Sequence, residues 1–145
     1  MTDEVLGAAA EAYARFLQEL RPETIDRLDE LAIEEMRFRD PFNDFTGRDR
    51  FKALLRSMFA ELDEPRFRLL DGALGRGTVY LRWIFRFRVK GRTSETTIDG
   101  VSEVHVDEAG RVIAHIDHWD AGSQFYEKLP VLGWFVRRVK RRLAA

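Results

Sequence analysis

The sequence predicts an α+β fold, a strongly curved and mostly antiparallel sheet roofed by helices, on three observations. Apolar residues recur at three- and four-residue steps as far as about residue 62, the period then changes to two, and the two-period stretches are separated by short segments that contain glycine. Helices that precede a run of strands and must bury one apolar face find that burial against one side of the sheet.

Val5, Leu6, Ala9, Tyr13, Phe16, Leu17 and Leu20 make one stripe, which predicts an amphipathic helix over about residues 3–20 with Tyr13 on its buried face. In "RPETIDRLDELA" Pro22 suits a first helical turn and restarts a helix with Ile25, Leu28, Leu31 and Ala32 inward. A short strand follows in "EEMRFRDPF", where Met36, Phe38 and Asp40 alternate with Glu35, Arg37 and Arg39 until Pro41 ends regular pairing. "GRDRFKALLRSMFAEL" is the third helix, with Phe51, Leu54, Leu55, Met58 and Phe59 on one stripe.

Four strands then form an antiparallel meander: "FRLLDGALG", "TVYLRWIFRFRV", "TSETTIDGVSEVHV" and "RVIAHIDHWD". The connections "RG", "KGR" and "DEAG" hold the glycines that tight hairpins need at positive φ. In the second of these strands Leu81, Trp83, Phe85, Phe87 and Val89 face one way and Arg82, Arg86 and Arg88 the other. Arginines at alternate positions opposite Glu95 and Glu103 read as cross-strand ion pairs on a solvated face rather than as a nucleic-acid stripe.

At 145 residues, 45% hydrophobic and 34% charged, the chain fits one domain with a sizeable core and has no run near the ~18 apolar residues of a membrane span. The start "MTDEVLGAAAEAY" lacks the basic opening of a signal peptide, so a cytoplasmic location is expected. Without cysteine there are no disulfides, thiol nucleophiles or cysteine metal ligands. The net charge of −1 conceals an asymmetry, because Arg137, Arg138, Lys140, Arg141 and Arg142 cluster near the C-terminus and leave the remainder acidic. An acidic body repels phosphate backbones, and no nucleic-acid partner is expected.

The cluster also gives "YEKLPVLGWFVRRVKRRLAA" an amphipathic pattern, which predicts a basic helix over residues 129–145 as an extension of a pocket domain spanning 1–128. Three readings stand for it: packing on the domain, adsorption to an anionic membrane surface, or docking to an acidic protein partner.

Two acids sit where core residues belong. Asp40 shares the face of Met36 and Phe38, and alternation along "GRVIAHIDHWD" puts His115, Asp117 and Trp119 with Ile113, while His118 and Asp120 point the other way. With the two histidines on opposite faces, only His115 and Asp117 are spaced to share an ion, and neither metal nor cofactor is expected. A carboxylate turned toward a core is either paired for structure or lines a cavity where its proton affinity matters. Asp40 can cap the following turn, and Asp117 can hold His115; both can also serve as acid or base.

The stretches "EAYARFLQEL", "FRDPF" and "VSEVHVDEAGRVIAHIDHWD", in this helix and strand order, resemble the nuclear transport factor 2-like superfamily and its SnoaL-like bacterial members over about residues 5–128. The resemblance implies a cone-shaped sheet around an apolar pocket, a small hydrophobic ligand and a homodimer. Tyr13 and Asp40 then look like the oxyanion tyrosine and general-base aspartate of ketosteroid isomerase. "HIDHWD" is similar to the closing strand of limonene epoxide hydrolase and of SnoaL-like cyclases, with Asp117 as the inward acid and His115 beside it. Ser102 falls where each enzyme has a further acid, so the sequence combines parts of two sites. Phe38, Trp83, Ser102 and Trp119 are expected to line the pocket. The implied activity is acid–base chemistry of isomerase, cyclase or hydrolase type; a non-catalytic binding or interaction module is the alternative.

Overall fold

The computed structural model describes residues 1–121 together with Arg138 and Arg141. Helix α1 (Asp3–Gln18) begins where the Thr2 hydroxyl accepts a hydrogen bond from Val5 N–H, and it buries Leu6, Tyr13, Phe16 and Leu17. The predicted second helix is shorter and tighter: a 3₁₀ segment (Pro22–Arg27) runs into one α-turn, α2 (Leu28–Leu31), and Ala32 already opens strand β1 (Ala32–Arg39). Ile25 and Leu28 are fully buried as expected, but Ala32 enters the core from a strand. Helix α3 (Arg48–Glu61) is fastened to this segment by Lys52, whose ammonium reaches Asp26 at 2.8 Å and Asp29 at 3.0 Å.

The remaining strands are β2 (Asp44–Thr46), β3 (Leu62–Leu74), β4 (Thr78–Val89), β5 (Thr96–Val106) and β6 (Val112–His118). Their order across the sheet is β2-β1-β6-β5-β4-β3. The meander from β3 to β6 is antiparallel throughout, and the one parallel pairing among the described residues joins β1 to β6. Two register shifts in β3, next to Glu64 (φ 51°) and at Leu70, bend and twist that strand.

The apolar face of β4 is turned inward and meets α1, with Val79, Leu81, Trp83, Phe85 and Phe87 all buried. On the solvated face Arg86 lies 3.8 Å from Glu95, Arg88 lies 3.2 Å from Glu64, and Arg82 lies 4.0 Å from Asp99. Glu103 departs from the expected pattern. Its carboxylate accepts from His105 Nε2 (2.7 Å), two residues along the same strand, and from His118 Nε2 (2.8 Å) on β6.

Strand β6 also departs from strict alternation. Between the pairs His105↔Ala114 and Val106↔Val112, β6 advances two residues against one on β5, so Ile113 is bulged out and 38% exposed. The inward set on this strand is therefore Val112, His115 and Asp117, not the strict alternation through Ile113. The predicted helix over 129–145 lies outside the described residues except for Arg138 and Arg141. Arg138 Nη1 donates to Ser57 Oγ at 2.8 Å and Arg141 pairs with Glu61, both on α3. Among the described residues no helix is long and apolar enough to cross a membrane.

Candidate functional site

The parallel register of β1 and β6 creates the site. Phe38 lies beside His115, so two residues further along both strands Asp40 and Asp117 arrive at the same end of the sheet. An antiparallel pair in the same place would have sent them apart. Both carboxylates border an inner cavity of about 70 Å³ whose walls, among the described residues, are otherwise apolar apart from His115; Phe38, Phe51, Trp83, Phe85 and Trp119 supply much of the surface. Asp40, Asp117 and Trp119 also border an outer cleft of about 480 Å³, shared with Arg39, Pro41 and His118. The two acids thus border both the aromatic interior and the outer cleft.

Asp117 ends a buried chain of hydrogen bonds whose direction follows from its members. The Trp83 indole N–H, which can only donate, gives its proton to Ser102 Oγ at 2.8 Å, and the Ser102 hydroxyl donates to Asp117 Oδ1 at 2.5 Å. His115 Nε2–H donates to the same oxygen at 2.7 Å, which leaves Nδ1 to accept from the Tyr13 hydroxyl at 2.6 Å. Burial, reinforced by the charge of Asp117, pushes the Tyr13 phenol well above its usual range and keeps it a donor. One carboxylate oxygen is fixed in this way, and Asp117 Oδ2 has no hydrogen-bond partner among the described residues.

Asp40 is held differently. The chain turns after Pro41, and Asp40 Oδ1 accepts from the backbone N–H of Phe42 (2.8 Å) and of Asn43 (2.7 Å) and from the Asn43 amide (3.0 Å), while Oδ2 receives only a longer contact from that amide (3.2 Å). These bonds favour the anion. Burial opposes them and prevails, with the nearby charge of Asp117 adding to it, and the Asp40 carboxyl is pushed up to about 6. The two readings of Asp40, turn cap and cavity acid, are both realised by one side chain.

The structure brings Asp40, Asp117, His115, Phe38, Trp83 and Trp119 to the cavity wall. Tyr13 and Ser102 stand behind it, each 1% exposed, and act on it through His115 and Asp117. The Tyr13 hydroxyl is engaged by His115, which does not fit the direct oxyanion contact that the resemblance implies. Asn43 and Gly100 escaped the sequence reading. Asn43 is signalled by the Asp-Pro-x-Asn spacing of a side-chain-capped turn. Gly100 faces Trp83 across β4 and β5, and a Cβ there would come within 2.5 Å of the indole, so only glycine lets the ring lie flat enough to reach Ser102. Among the described residues no three acids or histidines are grouped to hold a metal ion.

No curated protein matches the chain in sequence. Among solved structures, the chain is similar to an LEH-like epoxide hydrolase from M. tuberculosis at 19% identity and a TM-score of 0.72, covering 96% of this chain and 97% of the other. It also resembles a candidate SnoaL-like polyketide cyclase from Jannaschia sp. CCS1, at 12% identity and a TM-score of 0.72, over 85% and 92% of the two chains. A steroid delta-isomerase from Pseudomonas aeruginosa is similar at 18% identity and a TM-score of 0.61, over 99% and 97%. Likeness at this identity establishes the fold. The sequence itself matches the profile of the SnoaL-like domain over residues 13–115, well over half of its length, and the chain therefore belongs to the SnoaL-like domain family.

Proposed function

We propose that this protein is an enzyme that moves a proton on a small, largely apolar molecule held in the inner cavity, with Asp40 as general base. The observation that supports this reading is the pair of carboxylates at the cavity mouth, one of them with its proton affinity raised to about 6. A base is most effective when it titrates close to the working pH, where it is ionised yet still able to hold the proton it takes. Asp117, oriented through Ser102 and His115, is the partner that orients or protonates the substrate, and Tyr13 tunes it from behind through His115. The chemistry asks for no cofactor. A homodimer in the cytoplasm belongs to the same proposal.

The named activities of structures that share this fold suggest the assay panel: small epoxides, unsaturated ketones and β-dicarbonyl compounds. For any substrate turned over, kcat/KM is expected to rise with pH through about 6. Asp40→Asn is expected to lower it by roughly 10²–10⁴-fold, the usual contribution of a positioned acid or base. The apolar lining favours one other reading, a non-catalytic binding module. Retention of a tightly bound co-purifying ligand, with no turnover by the unmutated protein on the panel, would select that reading.

A further inference from the structure

The acidic side chains on the cavity wall are two carboxyls from neighbouring strands. Asp40 comes from β1 and Asp117 from β6, while α1, α3 and strands β3 to β5 contribute only apolar side chains. His115, also from β6, already gives one ring nitrogen to Asp117 and the other to Tyr13. Among the described residues no lysine or arginine lines this space. The nearest cation on the outer cleft, Arg39, is exposed on the other face of β1 and makes no ion pair with either acid among the described residues.

The hydrogen bonds are also lopsided. Asp40 Oδ1 takes three of the four contacts made to that carboxylate, and Asp117 Oδ1 takes both of those made to its own. Each acid therefore keeps one oxygen weakly engaged or unengaged. A neutral apolar molecule filling the cavity would exclude water from these oxygens and offer nothing in return, which is costly for a charged carboxylate. A cationic head would supply the missing counter-charge, and the apolar rings of Phe38, Phe51 and Trp83 would receive a hydrocarbon body attached to it.

We infer that the site takes a hydrophobic amine in its protonated form, with the ammonium between Asp40 and Asp117 and the hydrocarbon body among the aromatic rings. The inference rests on the proposed reading of this cavity as the substrate site, and it narrows the substrate class.

The test uses three compounds of one shape: cyclohexylmethylamine, cyclohexylmethanol and cyclohexanecarboxylate. Calorimetric titration into the full-length protein at pH 7.5 is expected to give an amine affinity at least tenfold above the alcohol, with no measurable binding of the carboxylate. Asp40→Asn and Asp117→Asn, each checked for folding by a thermal melt, are expected to weaken the amine about tenfold and leave the alcohol within twofold. Equal or tighter binding of the alcohol would overturn the amine assignment while leaving the cavity as the substrate site. Absence of binding by all three would overturn the assignment and count against the cavity itself.

Discussion

Asp40 carries two tasks that pull its proton affinity in opposite directions. The turn formed by Phe42 and Asn43 needs an acceptor, and the anion accepts best; the cavity withdraws water and disfavours the same anion. Because the folded value of about 6 exceeds the ordinary 3.8, the native chain holds this proton more tightly than the unfolded chain. The stability tied to the proton is complete below about pH 4 and is lost as the pH rises through about 6. The full interval corresponds to roughly 3 kcal/mol. An asparagine can cap the same turn without the charge, so Asp40→Asn is expected to be more stable than the parent by about 1–2 kcal/mol at pH 7.5, with the gain fading near pH 4. Urea denaturation at the two pH values checks this; a loss of stability at pH 7.5 would mean that the carboxylate is needed for the turn. The acid was legible in the sequence because a carboxylate on the face of Met36 and Phe38 breaks a two-residue period. Its value was not, since that depends first on burial and then on the charge of Asp117, far along the chain, and only folding supplies either.

Gly100 shows how an element, rather than a residue, holds the second acid. Its bare backbone on β5 is the floor on which the Trp83 ring of β4 lies, and that ring anchors Ser102 and, through it, Asp117 on β6. Gly100→Ala is expected to cost roughly 1–3 kcal/mol by overpacking and to shift tryptophan fluorescence as the indole leaves Ser102; a fully stable variant with an unchanged spectrum would contradict this arrangement. The long elements were legible because they repeat their signal: four helical turns in α1 and alternate apolar residues along β4. The three-residue β2 is too short to show a period, and the bulge at Ile113 is decided by pairing with β5 and leaves no local mark. At the C-terminal end, the contacts of Arg138 and Arg141 with Ser57 and Glu61 favour packing on the domain over a membrane anchor. Deleting residues 129–145 is accordingly expected to lower the melting temperature, and sedimentation with anionic vesicles to find little binding of either form. Salt-sensitive vesicle binding by the full-length chain alone, with no change in melting temperature, would restore the anchor.

At the scale of the whole molecule, the α+β class and the antiparallel meander could be read from the chain because each hairpin joins neighbours in sequence. The β1–β6 pair could not, because its strands are separated by α3 and the whole meander. That one pairing also sets an order in time. Asp40 leaves the ribosome 77 residues ahead of Asp117, a wait of roughly 4 to 15 s at ordinary rates of synthesis. Throughout that interval β1 has only the three residues of β2 beside it. A fragment ending at residue 106 lacks β6 and leaves β1 and β5 each with one open edge, so it is expected to show no cooperative thermal transition. In the complete chain, the step that closes the sheet is the same step that sets the two carboxylates side by side. The pairing that completes the sheet is thus also the one that completes this part of the cavity wall.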